Sequence, residues 1–194
     1  MVDPAMIEEE VPPEGEDLAL VAVQSALAGR PGVLAGARGL SHFGEHSIGW
    51  MMLAAAGALV FPSRRRDYLA AGAGAFLAHA CAVVIKRVVR RPRPHHPAIA
   101  VNVRTPSRLS FPSAHATSTT AASMLLARPT GLALPVLVVP PMAMSRLVLG
   151  VHYPSDVLAG IAVGAVVAKV VGKVVDGVAD RVGDRVPTVM SRWP

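Results

Sequence analysis

The 194-residue sequence is poor in cysteine and in acidic side chains through most of its length. Its one cysteine, Cys81, lies in an apolar run, which excludes an internal disulfide framework and a cysteine-rich metal site. Acidic residues crowd the start: Asp3, Glu8, Glu9, Glu10, Glu14, Glu16 and Asp17 are seven of the thirteen, and from Ile48 to Val175 the acids are Asp67 and Asp156. So few carboxylates cannot assemble the ligand sets of Mg²⁺ or two-metal sites, and no metal or cofactor is expected. The start also carries Pro4, Pro12 and Pro13 and lacks a basic stretch followed by an apolar core. Residues 1–17 therefore read as an acidic disordered tail, not a signal peptide.

Apolar side chains are abundant, at 52% against 16% charged, with a mean hydropathy of +0.46. This balance belongs to a small integral membrane protein. A helix needs about 20 mainly apolar residues to cross the hydrocarbon core, and five segments approach that: Ile48–Phe61, Tyr68–Ile85, Ser113–Ala127, Thr130–Leu149 and Asp156 to Val175. The third is rich in Ser and Thr, which suits a helix buried in a bundle. The fourth is expected to be irregular at Pro135, Pro140 and Pro141. In the fifth, Gly160, Gly164, Ala168 and Gly172 form either a small-residue packing stripe or ordinary Gly/Ala richness. Residues 18–41 read as short interfacial helices, 42–175 as the transmembrane domain, and 176–194 as an amphipathic extension with Val174, Val178, Val182 and Val186 on one face. The expected fold is an all-α polytopic membrane helix bundle.

Alternating spans bring Lys86–Phe111, the start of the third span and Ser145–Asp156 to one membrane face. The opposite face carries Arg64, Arg65, Arg66, Arg128, Lys169 and Lys173, and a Lys/Arg excess marks the cytoplasmic side. The polar cluster is thus expected outside the cytoplasm, in the plasma membrane.

That cluster contains "KRVVRRPRPHH", a cationic run stiffened by Pro92 and Pro94. By itself such a run is an ordinary juxtamembrane patch for anionic lipid head groups. In "SFPSAHAT", however, Pro112 suits a helix start and would leave the Ser113 and Ala114 amides free at the positive helix end. A helix N-terminus, a hydroxyl and nearby cations make a phosphate cradle, with His115 placed to donate a proton. In "SRLVLGVHYPSD", Arg146 adds a fork of donors for phosphate oxygens, and Asp156, in the first turn after Pro154, can reach back to His152. A carboxylate on one ring nitrogen leaves the other free to attack. His42, His46, His79, His95 and His96 read as ordinary polar residues at a membrane interface.

Lys86 and Arg93-Pro94 fit K-x6-R-P, Pro112 to His115 fits P-S-G-H with Ala114 for glycine, and Ser145-Arg146, His152 and Asp156 fit S-R-x5-H-x3-D. In this order and spacing they resemble the type 2 phosphatidic acid phosphatase family, which shares its site with vanadium-dependent haloperoxidases. The resemblance implies a metal-independent lipid phosphatase. Lys86, Arg93, Arg146, Ser113 and Ala114 would bind the phosphoryl oxygens, His152 would form a phosphohistidine, Asp156 would orient it, and His115 would protonate the leaving oxygen. Alanine for glycine should matter little if the backbone N–H is what counts, and would matter if positive φ were required. The flanking "ARGLSHFGEHSIGW" and "HPAIAVNV" resemble an actinobacterial branch of the family acting on a polyprenyl-linked ribose 5-phosphate in cell-wall arabinan synthesis. Undecaprenyl diphosphate and phosphatidic acid are the alternative substrates.

Outside this class, a catalytically silent lipid-binding scaffold or transporter would tolerate loss of His115, His152 or Asp156, and all three are intact. A nucleic-acid partner is not expected, because no aromatics interleave the basic run. Oligomeric state is not encoded in these motifs.

Overall fold

A computed structural model describes residues 12–183. Seven α-helices follow one another: α1 (Gly15–Leu27), α2 (Val33–Gly44), α3 (Ile48–Val60), α4 (Arg65–Val89), α5 (Ala114–Thr130), α6 (Leu134–Val148) and α7 (Pro154–Gly183). The five expected spans correspond to α3–α7. No strand forms among the described residues; one isolated antiparallel bridge, Pro92 to Leu109, folds the α4–α5 connection back on itself.

Helix α5 is the centre of the bundle and packs on α3, α4, α6 and α7. Its Thr117, Ser118, Thr119, Thr120 and Ser123 are all buried, while Met52, Leu59, Phe76, Val84, Val136 and Leu158 on the surrounding helices are exposed. In water this arrangement would be inverted, with hydroxyls outside and large apolar groups within. In lipid it is favourable: the small polar interior allows close packing and interhelical hydrogen bonds, and the exposed side chains meet acyl chains. Trp50 shows the principle, its indole N–H donating to Thr119 Oγ1 at 3.0 Å. By length and composition, Pro62–Val89 and Pro154–Arg181 are each able to cross a membrane. The molecule is an all-α membrane helix bundle.

The small-residue spacing on α7 reflects packing. A Cβ at Gly160 would stand 2.6 Å from the Ser113 carbonyl oxygen, one at Gly164 would run into the Thr117 carbonyl, and Ala168 is buried in the same seam. The glycines let α7 lie against the backbone of α5. Arg128 at the far end of α5 pairs with Asp176 of α7 at 2.5 Å.

Three expectations are corrected. Gly15–Asp17, assigned to the disordered tail, opens α1, because Glu16 finds partners far along the chain, described below. Helix α6 is continuous through Pro140 and Pro141; only the N–H bonds toward Val136 and Leu137 are forfeited, and Pro135 sits in the first turn, where no N–H partner is needed. Pro112 is not the first helical residue. It precedes the N-cap Ser113 and follows a cis peptide bond. Val186, expected on the amphipathic C-terminal face, lies outside the described residues, as do residues 1–11.

Candidate active site

The C-terminal ends of α4 and α6 and the N-terminal end of α5 open toward the same side of the bundle as the 90–113 connection and the 149–153 turn. The connection is held in place by Arg93 N donating to Arg108 O at 3.2 Å and Ser110 N donating to Arg91 O at 2.8 Å. The turn depends on Gly150, whose φ is +67° and whose missing side chain admits the Ala100 carbonyl. Any Cβ would strain that conformation and strike backbone. Helix α1 clamps the assembly: Gln24, buried, donates from Nε2 to Ala100 O (2.7 Å) and Val148 O (3.1 Å) and accepts from Ala100 N (3.0 Å).

Together these elements enclose a cavity of about 660 Å³ whose lining includes Lys86, Arg93, Ala114, His115, Arg146 and His152. Six residues expected to act on phosphate, spread from α4 to the turn before α7, thus face one space. Lys86 is buried, its Nζ donating to Ser110 O at 2.6 Å. Arg93 donates from Nε to Ser107 O (2.8 Å) and from Nη1 to Val151 O (2.6 Å), with Nη1 3.3 Å from His152 Nε2. Burial pushes the Arg93 guanidinium down to about 10, so it stays charged at neutral pH. Arg146 is 2% exposed, and its Nη2 has no hydrogen-bond partner among the described residues. A buried cation without a counter-charge is costly, and the space beside it can receive an anion.

His152 is fully enclosed. Burial, reinforced by Arg93, Lys86 and Arg146, holds its imidazole well below the ordinary value of 6.5, so the ring is neutral at neutral pH. Its Nδ1 lies 3.6 Å from Asp156 Oδ2, beyond hydrogen-bond reach, and Nε2 faces the cations. His115 Nε2 donates to the Ser41 carbonyl at 2.9 Å, since a carbonyl can only accept; this leaves Nδ1 as the nitrogen able to exchange a proton. Ala114 has no positive φ, so the alanine in the glycine position is accommodated as an ordinary first helical residue.

Ser113 departs from expectation. Its amide donates to Asp156 O at 2.9 Å, and its hydroxyl accepts from Ala116 N at 3.5 Å as the N-cap of α5. It is fully buried and does not line the cavity, whereas Ala114 and His115, the first two residues of α5, do. The helix begins at Ala114, two residues after Pro112, and capping claims the Ser113 hydroxyl. Asp156 also lies behind the cavity wall. The cavity instead recruits His46 and His79, whose rings are 5.6 Å apart and to which the sequence assigned no chemistry. His46 and Ser47 both have positive φ, local strain at the cavity wall. The α2–α3 bend brings His46 to the site, whereas His79 reaches it from α4, two helical turns before Lys86.

Residues 67–178 match the PAP2 superfamily. The chain is similar to the decaprenylphosphoryl-5-phosphoribose phosphatase of Mycolicibacterium smegmatis, with 77% identity over 148 residues, 76% of this chain and 82% of the relative. It is similar to the Mycobacterium tuberculosis protein of the same name, with 71% identity over 151 residues, 78% and 85% of the two chains. Among solved structures, the transmembrane PAP2 type phosphatidylglycerolphosphate phosphatase from Bacillus subtilis has a similar fold, at a TM-score of 0.65 and 21% identity, covering 82% of this chain and 86% of the other. Aquifex aeolicus LpxE is also similar in fold, at a TM-score of 0.59 and 18% identity, covering 80% and 93%. Three motifs converging on one cavity within the matched region agree with these likenesses, and the chain belongs to the PAP2 superfamily.

Proposed function

We propose that this membrane protein is a lipid phosphatase that removes the 5-phosphate from a polyprenyl-phosphoryl ribose 5-phosphate, such as decaprenylphosphoryl-5-phosphoribose. The observation that carries the reaction class is the buried, incompletely partnered Arg146 guanidinium beside Lys86, Arg93 and a neutral His152. Fixed cations there neutralise the equatorial phosphoryl oxygens, work that carboxylate-held Mg²⁺ performs in other phosphatases. The substrate is supported by the names of the relatives at 77% and 71% identity.

His152 Nε2 attacks phosphorus, and the N–P bond forms as the bond from phosphorus to the ribose oxygen breaks. His115, protonated on both ring nitrogens once the phosphate anion is bound, gives its Nδ1 proton to that oxygen while Nε2–H stays on the Ser41 carbonyl. Water then loses a proton to His115 as its oxygen attacks phosphorus, the N–P bond breaks, and inorganic phosphate leaves. Asp156 orients His152 and balances its positive charge. The Ala114 amide adds a donor to the phosphoryl oxygens, while Ser113 fixes the start of α5.

The cavity faces the extracytoplasmic side of the plasma membrane. Arg64, Arg65, Arg66 and Arg128 at the opposite end support this, and of the cations at the cavity end Arg38, Lys86, Arg93, Arg104 and Arg146 line the cavity itself. The test is phosphate release by purified protein in EDTA from phosphoribosyl polyprenyl phosphate, undecaprenyl diphosphate and phosphatidic acid. Preference for the first with chelator present is expected. Higher kcat/KM on either of the others overturns the substrate, and loss in EDTA with rescue by Mg²⁺ overturns the mechanism.

A further inference from the structure

Behind His152, on the side away from the cavity, a polar network runs from the N-terminal helix to Asp156. Arg91 donates from Nη2 to Glu16 Oε2 at 2.5 Å, and from Nη1 to Asp156 Oδ1 at 3.0 Å and Ser155 Oγ at 2.6 Å. Its guanidinium lies 4.1 Å from the centre of the Tyr153 ring. Glu16 in turn accepts from Ser155 N at 2.8 Å and Ser155 Oγ at 3.0 Å. Asp156 is fully buried, and its Oδ2 accepts from Tyr153 N at 2.8 Å. Burial works against the Glu16 carboxylate, yet hydrogen bonds from Arg91 and Ser155 hold it below its ordinary value, so Glu16 is charged at neutral pH.

A carboxylate that steers an imidazole must not rotate. Only one Asp156 oxygen faces His152; the other is pinned by Arg91, and Arg91 is itself pinned by Glu16 and the Tyr153 ring. Neither Glu16 nor Arg91 lines the cavity, so neither is placed to touch phosphate. Glu16 also lies outside residues 67–178, the part of the chain matching the superfamily.

We infer that Glu16 and Arg91 are positioning residues for phosphoryl transfer: they set the Asp156 carboxylate, and through it the His152 ring, so that docking of α1 completes the site. This rests on His152 being the nucleophile as proposed above. A single fork bridges both carboxylates, a geometry that lysine cannot reproduce.

The test measures kcat, KM, vanadate inhibition and thermal midpoint of the full chain in detergent for E16Q, R91K and the charge swap E16R/R91E, with H152A alongside. E16Q and R91K are expected to lose about tenfold to a hundredfold in kcat, the scale of a small misplacement of a reacting group. KM and vanadate inhibition should stay within about twofold, because the phosphate-binding cations are untouched. The swap restores an ion pair but sets a second carboxylate against Asp156, so it should fold and remain slow. Full kcat in the swap would make the pair a mere latch for α1 and overturn the inference, as would wild-type kcat in E16Q and R91K. A rise in KM matching the lost kcat/KM would make Arg91 a phosphate ligand and overturn it too. If the swap does not fold, E16Q and R91K decide. Turnover retained by H152A removes the underlying nucleophile assignment; an inactive H152A with fully active E16Q and R91K removes only the positioning role.

Discussion

Arg146 concentrates the tension between stability and function in one side chain. Its guanidinium is 2% exposed and incompletely partnered, so the fold carries an uncompensated charge wherever phosphate is absent. Arg146→Met removes the charge and nearly keeps the volume. The thermal midpoint is expected to hold or rise, while the upward shift that vanadate gives the wild type disappears; a variant that vanadate still stabilises would remove Arg146 from the anion site. His152 yields a pH prediction of definite sign. A depressed folded-state value keeps the ring neutral as pH falls below 6.5, so the acidic limb of kcat/KM due to this group lies below 6.5. A limb at or above 6.5 in the pH profile would contradict a neutral buried nucleophile. The two histidines of the motifs were legible from spacing. Their neighbour His46 was not, since its route to the cavity runs through left-handed backbone at His46 and Ser47 that no local pattern announces, while His79, two turns before Lys86 on α4, carried a spacing signal that went unused.

At the scale of elements, the site is a junction of helix ends, and α7 must stand close to α5 for Asp156 to lie under the α5 N-cap. Gly164→Val tests that closeness. Its side chain would meet the Thr117 carbonyl and the Thr120 Cβ, 2.9 Å from the ideal Cβ position, so helix backbones rather than a flexible side chain would have to move. Overpacking of this kind costs about 1–3 kcal/mol or more, and a clear drop in thermal midpoint is expected. Gly172→Ala is the control, because the nearest group is the Arg128 guanidinium at 3.4 Å. Equal midpoints for both variants would return the small-residue spacing to mere composition. Helix limits were readable where proline or a hydroxyl punctuates the chain, as at Pro154, the first residue of α7. They were misread at Pro112 and through Pro140 and Pro141, where neighbouring backbone, not the imino acid, decides where the helix starts and whether it continues.

Among the described residues, the hydroxyls of α5 lie inside, large aliphatic groups of the surrounding helices lie outside, and the reactive groups gather at one end. That polarity predicts a topology. Asn102→Cys, next to the cavity-lining Val103, is expected to react with a membrane-impermeant maleimide added to intact cells. Thr130→Cys, at the far end of α5, should react only after the membrane is opened. The reverse pattern would turn the cavity toward the cytoplasm and remove the proposed extracytoplasmic reaction.

Sequence alone determined the membrane class, the sequential order of the five apolar spans, and the identity and spacing of the three motifs, because hydropathy and helical periodicity are properties of contiguous residues. Tertiary structure decided which polar atoms are spent on scaffolding and which are left for chemistry. The Ser113 hydroxyl caps α5, Asp156 is shared between Tyr153 N and Arg91, and Glu16, read as part of a disordered tail, reaches Arg91 and Ser155. Each hydrogen-bonding group has several partners within chemical reason. Which one it takes depends on helix packing that brings residues such as Glu16 and Arg91 within bonding distance, a fact about space that spacing along the chain does not contain.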